Sequence, residues 1–365
     1  MKKKVLILVN HNVVIYNFRK ELVERLINDG YEVYLSCPQG NRIEELVSMG
    51  CKFVETDVER RSKNPLTDLK LIRYYKKIMK DIKPDIVLSY TIKPNIYGGI
   101  ASRSLKIPQI ANITGLGTAT ENPGITQKFI VWLYKIAFKK TKKVFFQNEE
   151  NCEFFMKHKI NICSYDILPG SGVNLSRYRI SEYPDDNKVK FLFISRIMKE
   201  KGIDFYLSTA NTTRNKYDNV EFHICGFCED EYKGKLQKLV DNGTVIYHGM
   251  IDNVDEFLKD IHCVIHPTYY PEGMSNVLLE CCASGRPIIT TDRSGCREIV
   301  DDGINGYMVR VKNQEDLDNA VEKFLVLSNE QRKAMGIAGR KKVEEQFDRQ
   351  IVVNKYMEEI RKEVN

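Results

Sequence analysis

Short apolar runs alternate with stretches of helical period along the whole chain, and the alternation occurs in two sets. In the first set Val5–Asn10, Tyr31–Cys37, Lys52–Thr56, Asp85–Tyr90, Gln109–Thr114 and Val144–Asn148 read as strands. Phe18–Asn28, Leu66–Ile82, Asn95–Leu105, Thr126–Lys139 and Glu149–His158 read as helices between and after them. Such a pattern predicts an α/β fold, a parallel sheet covered by helices on both faces. The second set runs through Lys190–Ser195, Val220–Cys225, Val245–Gly249, Cys263–Pro267, Pro287–Thr291 and Gly306–Val311. Between the sets, the polar segment Leu175–Lys188, with Pro184 and Asp185-Asp186, reads as an interdomain linker. A chain of 365 residues is long enough for two such domains. The expected division is 1–172, joined by a terminal helix over 350–365, and 173–349. Ligands of doubly wound sheets bind beyond the carboxyl ends of the strands, which directs attention to the loops there.

Two of those loops carry chemistry in the second set. Glu272 and Glu280 lie eight positions apart, the first in a Gly-containing loop and the second after two apolar turns. At about 3.6 residues per turn, Ser275–Ala283 is a short helix. The unpaired N–H groups of Met274, Ser275, Asn276 and Val277 then point out of its N-terminus, where an anion is favoured. Gly273 lets the backbone approach. A phosphate gripped there, with one carboxylate on either side for neutral hydroxyls, matches the anatomy of a sugar nucleotide. The alternative is that Glu280 is a solvated helix residue. The second loop, Ser195-Arg196-Ile197-Met198-Lys199-Glu200-Lys201-Gly202, follows a strand and opens a helix. Arg196 offers paired planar donors and Lys201 a point charge to a diphosphate. Otherwise this is a solvated basic turn.

The run Glu272-Gly273…Asn276…Glu280…Gly285-Arg286-Pro287…Gly303-Ile304-Asn305-Gly306 resembles the retaining glycosyltransferases of the GT-B group called family 4. The resemblance implies two Rossmann-like domains facing across a cleft, with the last helix crossing back onto the first. It implies a UDP-sugar donor and retention at the anomeric carbon. Glu272, Arg196 and Lys201 are then the catalytic residues. Glu280 holds the ribose, and Gly226, Gly249 and Val254 line the nucleotide. Gly226 and Gly249 read as glycines of close approach. His248 and His266 read as structural residues at strand ends, and Gly170-Ser171-Gly172-Val173-Asn174 as the run near the hinge. No obligate cofactor or metal is expected, because protein cations and the helix dipole meet the leaving diphosphate. Asp316-Leu317-Asp318, the one Asp-x-Asp, reads as a polar helix face.

The first domain is similar to bacterial transferases that extend undecaprenyl-diphosphate-linked sugars in O-antigen, capsule or protein-glycan assembly. The runs that carry this are Tyr90-Thr91-Ile92-Lys93-Pro94-Asn95-Ile96-Tyr97-Gly98 and Asn112-Ile113-Thr114-Gly115-Leu116-Gly117. Lys93 meets the acceptor diphosphate or caps a helix, and Thr114 and Gly115 line the sugar. His11 and Asn17 fall in or beside the first strand–helix loop, where an acceptor enters.

Charge adds a partner. Residues 1–170 hold 28 Lys+Arg and 17 Asp+Glu, while the remainder holds 28 and 32. The basic excess belongs to the first half, as expected for an anionic partner met on that side. Leu66–Ile82 places Ile72, Tyr75, Met79 and Ile82 on one stripe and Lys70, Arg73, Lys77 and Lys80 on another. Over Gln127–Lys143, Phe129, Trp132, Leu133 and Ile136 share a face, and Lys128, Lys135, Lys139 and Lys142 lie together elsewhere. Either these helices rest on an anionic inner-leaflet surface, or they pack their apolar faces on the sheet.

Composition excludes several classes. Hydrophobic content of 42% with 29% charged residues fits a globular chain. No run reaches the roughly eighteen apolar residues of a membrane span, and no secretory leader is read at Lys2-Lys3-Lys4. Ten cysteines form no disulfide framework, so a reducing cytoplasm is expected. Cys225-Gly226-Phe227-Cys228 reads as a strand end and turn rather than a redox or zinc pair. The basic residues are dispersed and no nucleic-acid reader motif is present. The competing activities are a UDP-GlcNAc 2-epimerase-like isomerase on the same architecture and a noncatalytic nucleotide-binding partner of a transferase.

Overall fold

A computed structural model describes residues 2–56, 65–117, 120 and 123–364, without the side chains of Pro65 and Leu66. The chain divides into two compact units. One comprises Met1–Gly172, Glu272–Met274 and Arg349–Asn365, and the other Val173–Pro271 and Ser275–Asp348. The short segment Glu272–Met274 therefore belongs with the first unit, although the sequence boundaries assign it to the second.

In the first unit the strands are β1 (Lys4–Leu8), β2 (Glu32–Cys37), β3 (Lys52–Glu55), β4 (Ile86–Tyr90), β5 (Gln109–Ile113), β6 (Lys143–Phe146) and β7 (Tyr165–Ile167). They form a parallel sheet in the order β3-β2-β1-β4-β5-β6-β7. Period-two alternation explains why it is covered on both sides. Val5 and Ile7 face one apolar cluster, and Leu6 and Leu8 face the other. The first cluster is completed by α1 (Asn12–Asn28), α2 (Ile43–Ser48) and α13 (Arg349–Val364). The second is completed by α3 (Pro65–Ile82), a π-helical turn at Pro94–Gly98, α4 (Gly99–Leu105), α5 (Ile125–Ala137) and α6 (Glu149–Lys157). The terminal helix α13 is fixed by its own side chains. The Tyr356 hydroxyl accepts from Asn112 Nδ2 at 2.8 Å, and Arg349 Nη1 meets Glu21 at 3.0 Å.

The second unit repeats the plan. Strands β8 (Val189–Ile194), β9 (Val220–Cys225), β10 (Ile246–Tyr247), β11 (Cys263–His266), β12 (Ile288–Thr291) and β13 (Gly306–Val309) order as β10-β9-β8-β11-β12-β13. Helices α7 (Ile203–Arg214), α8 (Asp230–Asp241), α9 (Val254–Phe257), α10 (Asn276–Ala283), α11 (Gln314–Leu325) and α12 (Asn329–Gln346) connect and cover them. Both sheets carry the doubly wound order, with strand order reversing beside β1 in one and β8 in the other.

The structure departs from the sequence reading in several elements. Leu175–Lys188 is not a free linker. Tyr178 and Tyr183 are buried, and the buried guanidinium of Arg286 donates to Ser181 Oγ at 2.6 Å and to the Glu182 carbonyl at 2.9 Å. A polar segment is held here because a buried arginine requires carbonyl acceptors. Helix α1 starts at Asn12, six residues before the predicted start, because His11 caps it. Helices α2 and α12 and the short strand β7 are additional to the elements the sequence pattern predicts.

Candidate active site

In the second unit the reversal of strand order falls between β8 and β11, and both loops beyond their carboxyl ends are specified in detail. Strand β8 ends at Ile194, Arg196 follows, and Lys201 closes a one-turn 3-10 helix, Lys199–Lys201. The Glu200 carbonyl of that turn accepts from the Tyr269 N–H at 2.9 Å and the Thr268 hydroxyl at 3.3 Å. The two loops are thereby bonded to each other. Gly202 sits at φ 80, and a Cβ there would lie 2.0 Å from the Pro267 carbonyl oxygen. The close approach of the loops therefore excludes a side chain at this position.

Lys201 and Arg196 converge on one ring. Lys201 Nζ is 4.9 Å and the Arg196 guanidinium 5.8 Å from the centre of Tyr270. Arg196 also lies 3.8 Å from Glu229. Lys201 is almost wholly buried, whereas Arg196 remains accessible. Beneath them His266, the last residue of β11, is fully buried, with neither ring nitrogen hydrogen-bonded. Burial first, and the Lys201 charge second, push its pKa down to about 3, so it is a neutral ring at the strand end. His248 pairs with His223, Nε2 to Nδ1 at 2.9 Å, with the rings stacked at 5.2 Å, and both are pushed down by burial.

Helix α10 begins at Asn276, behind Ser275 as N-cap, and Glu280 lies inside it. The row of amides differs from the expectation. The Ser275 N–H donates to the Gly295 carbonyl at 2.7 Å, so it is engaged within the protein. That carbonyl is placed by Glu298, which accepts from the Gly295 N–H at 2.7 Å and the Ser294 hydroxyl at 3.1 Å. Asn276 Oδ1 is buried and has no hydrogen-bond partner. Glu280 interacts with Tyr178, whose phenol is pushed up by burial above all and then by the Glu280 carboxylate. Glu280 is thus not a solvated helix residue, and Tyr178 comes from the segment read as linker. No sequence signal marked Tyr178, Tyr270 or Glu298.

The glycines divide by cause. Gly226, at φ 132, would place a Cβ 1.8 Å from the Ser195 carbonyl oxygen, and is a glycine of close approach. Gly249, at φ 69, would place its Cβ in open space. No protein atom approaches that position, so within the protein only the backbone angle requires glycine. The Gly226 N–H donates to the Gly249 carbonyl at 2.7 Å. Val254 opens the short helix α9. Burial pushes the Cys225 thiol up to about 12, which suits a strand end rather than a redox pair. Asp318 accepts from Thr209 and Gln314 side chains and Asp316 pairs with Arg310, so Asp-x-Asp serves helix packing. Among the described residues no group of three or more His, Cys, Asp or Glu is arranged to hold a metal ion.

The first unit receives Glu272, Gly273 and Met274. Asn148, the N-cap of α6, donates Nδ2 to the carbonyls of Glu272 at 3.1 Å and Gly273 at 2.6 Å. A Cβ on Gly273 would lie 2.4 Å from the Thr114 carbonyl oxygen, and one on Gly170 2.5 Å from Met274 Cβ. Thr114 is thus brought to the Glu272 segment, and Gly115 follows it at φ 131. The other acceptor-side residues are engaged within the protein. His11 lies in the first strand–helix loop, and its Nδ1 accepts from the Val13 N–H at 3.3 Å as the cap of α1. Asn17 lies within α1 rather than in its loop, and its carbonyl accepts from Arg349 at 2.9 Å. Lys93 makes no cap bond and pairs with Asp68 at 3.0 Å, in a largely buried setting. At the reversal of the first sheet, between β1 and β4, Asn10 Oδ1 and Thr91 Oγ1 are buried without partners. Thr91 is held at φ 69, a costly angle for a β-branched residue.

Two doubly wound sheets, the second with two cations beyond its switch point, define an α/β architecture of the kind that binds ligands past the carboxyl ends of its strands. Residues 4–148 match the family profile described as glycosyl transferase 4-like, and residues 177–342 that of glycosyl transferases group 1. The chain belongs to these glycosyltransferases. It is 26% identical over 361 residues to the N,N'-diacetylbacillosaminyl-diphospho-undecaprenol alpha-1,3-N-acetylgalactosaminyltransferase of Campylobacter jejuni, with 94% of each chain covered. It is 21% identical to the UDP-Gal:alpha-D-GlcNAc-diphosphoundecaprenol alpha-1,3-galactosyltransferase of Escherichia coli, covering 82% of this chain and 81% of that one. The structure resembles a glycosyltransferase of Rickettsia africae with a TM-score of 0.83 at 18% identity, over 100% of this chain and 99% of that chain. It also resembles HepE of Anabaena, solved with UDP and glucose, at 0.79 and 14% identity, over 98% and 99%. The fold is GT-B.

Proposed function

We propose that this enzyme moves a hexose or N-acetylhexosamine from a UDP-sugar to a polyprenyl-diphosphate-linked saccharide, with retention, in bacterial surface polysaccharide or glycan assembly. The observation that carries the reading is the convergence of Arg196 and Lys201 on Tyr270 at the switch point of the second sheet. Two fixed cations there neutralise the diphosphate that develops as the sugar–phosphate bond breaks. The amides at the start of α10 add to them, with Ser275 held by Gly295 as a structural member of that end. Glu280 binds the ribose hydroxyls and Glu272 orients the sugar and favours positive charge at its anomeric carbon. Gly226, Gly249 and Val254 line the nucleotide. Thr114, Gly115, Asn10 and Thr91 line the acceptor side, and Lys93 reaches a phosphate only by leaving Asp68.

Two relatives named for undecaprenol-linked acceptors support the acceptor class, and neighbours solved with UDP support the donor. In this reading the first unit binds acceptor, the second binds donor, no metal takes part, and the enzyme works at the inner face of the plasma membrane. Among the described residues no helix is long and apolar enough to cross a membrane.

The test is UDP release across UDP-Gal, UDP-GalNAc, UDP-Glc and UDP-GlcNAc, each with polyprenyl-diphosphate sugars and with EDTA. Acceptor-dependent release from one of them, unaffected by EDTA, is expected. Glu272→Ala, Arg196→Ala and Lys201→Ala should each lower it without unfolding the chain. Normal rates in all three overturn the assignment. Conversion of UDP-GlcNAc without acceptor would mark an isomerase instead.

A further inference from the structure

Asn10 Oδ1, Asn12 Nδ2, Arg19 Nε and the hydroxyls of Tyr90 and Thr91 are all buried, and none has a hydrogen-bond partner among the described residues. Their place in the first unit is set by β1, β4 and α1. Leu8 of β1 pairs with Ser89 of β4, and Asn10 and Thr91 lie two positions further along each chain, at the reversal of strand order. Tyr90 closes β4 and Asn12 opens α1. Asn12 and Arg19 both lie on the buried face of α1. Two turns of helix, about 10 Å, separate them. An arginine side chain leans toward the N-terminus of its helix, which carries the Arg19 guanidinium toward the loops. It lies 5.2 Å from the centre of the Tyr90 ring.

Arg19 is a buried cation without a counter-ion. It is 2% exposed, and among the described residues no carboxylate pairs with it. Glu21, two positions on, is bonded to Arg349 instead. Arg19 Nη1 donates to the Phe18 carbonyl at 2.6 Å, and Nε donates to nothing. The rings of Tyr90 and Tyr356 stand 5.2 and 5.7 Å from the guanidinium. A ring face favours a cation, but it leaves the in-plane N–H groups unsatisfied, and a buried charge is costly unless it is paired and hydrogen-bonded. Four of the five orphaned atoms are donors: an amide nitrogen, a guanidinium nitrogen and two hydroxyls. What they lack is an acceptor, and the charge of Arg19 selects a negative one. Phosphate oxygens meet both needs, and the planar fork of an arginine fits them. Lys93, also beyond β4, is already neutralised by Asp68 at 3.0 Å.

We propose that Arg19, with Asn12, Tyr90 and Thr91, forms an oxyanion site in the first unit that takes a phosphate group of the acceptor's diphosphate. Arg19 supplies the charge, and the amide and the two hydroxyls supply the remaining donors. Asn10 Oδ1 is left to accept from a hydroxyl of the adjoining sugar. The inference rests on the reading of a diphosphate-linked acceptor, and it moves to Arg19 the contact that the sequence pattern suggests for Lys93.

Inorganic pyrophosphate is titrated calorimetrically into the full chain with UDP at saturation, so that the donor side is already occupied. Saturable binding is expected. Arg19→Met should weaken it at least tenfold, and Tyr90→Phe and Thr91→Gly several-fold each. Urea midpoints separate this from damage to the fold. Exchanging an unpaired buried charge for an apolar side chain should leave the midpoint of Arg19→Met unchanged or higher, and Thr91→Gly, relieved of its positive φ, should raise its own. If Arg19→Met does not fold, the other two variants decide. In turnover, Arg19→Met should raise KM for a polyprenyl-diphosphate saccharide at least tenfold while KM for the UDP-sugar holds. It should also reduce the preference for that acceptor over the same saccharide on a neutral alkyl chain. Absent pyrophosphate binding, or binding unchanged in folded Arg19→Met, overturns the site. Binding lost in Arg19→Met beside an unchanged acceptor preference overturns the acceptor assignment, because the site then serves a free anion. No transfer to any acceptor, beside pyrophosphate binding that depends on Arg19, sinks the proposed reaction and supports the anion site.

Discussion

The ammonium of Lys201 stands 4.9 Å from the centre of the Tyr270 ring. The two residues come from loops after different strands, β8 and β11, whose carboxyl ends mark the reversal of strand order. The ring lies against a second cation, Arg196, at 5.8 Å. A ring face tempers the repulsion between like charges. The fold therefore gathers two positive charges around one ring at this switch point.

Lys201→Met should lower acceptor-dependent kcat/KM about 100-fold, on the scale of roughly 3 kcal/mol for one lost stabilising donor. Tyr270→Leu should cost less, about 1 kcal/mol or some fivefold, since it removes only the ring. Steady-state UDP release on folded variants decides this, and a larger loss in Tyr270→Leu than in Lys201→Met would reverse the roles.

Glu280→Gln should raise KM for the UDP-sugar more than it lowers kcat, because a ribose contact holds in the ground state and the transition state alike. Tyr178→Phe should act in the same direction and more weakly, through the carboxylate it touches. A pure kcat defect in Glu280→Gln, measured over a donor titration, would move that residue to the reacting centre.

Gly226→Ala should destabilise far more than Gly249→Ala, although both positions have positive φ. An alanine at Gly249 meets open space and costs about 1–2 kcal/mol for its backbone angle. At Gly226 its Cβ would fall 1.8 Å from the Ser195 carbonyl oxygen, so β8 or the loop must shift as well. Urea midpoints of the two variants compare these costs directly. Equal values would show that the approach of Gly226 to Ser195 is not tight.

Acid should weaken the fold through His266. Its folded pKa is lowered to about 3 from an ordinary 6.5. Below 6.5 the unfolded chain takes up a proton that the folded chain refuses. Stability present above about 6.5 is lost progressively toward pH 3, at up to about 1.4 kcal/mol per unit. His262, lowered to about 4, adds a second contribution in the same direction. Denaturant melts between pH 7 and 4.5 should slope less in His266→Leu than in the parent chain. An unchanged slope would place the titration elsewhere.

The strands of both sheets were readable because buried parallel strands are near-continuous apolar runs, as in Val5–Leu8 and Val189–Ile194. The places of Arg196, Lys201 and Glu280 in the fold were readable, though not their roles, because each sits at a fixed offset from a strand end or a helix start. Tyr178 and Tyr270 were not, because an aromatic residue in a polar or mixed segment has no periodicity to show what it will touch. His11 is ambiguous in the sequence because a histidine after a first strand looks the same whether it caps a helix, faces a ligand or does both. In the folded chain its Nδ1 is bonded to Val13.

Local chemistry, written in the order of residue types, was sufficient for two doubly wound sheets and for the loops that follow β8 and β11. Period and turn residues act over a few positions, and a linear chain displays them openly. Partners distant in sequence were settled only by packing. Asn148 meets Gly273 at 2.6 Å, 125 positions away. The outer stripe of α5 became visible only when Val131 and Tyr134 took the inner one. A helix has one buried side in a domain of this kind, and which of its apolar residues occupy that side depends on the shape of the sheet beneath.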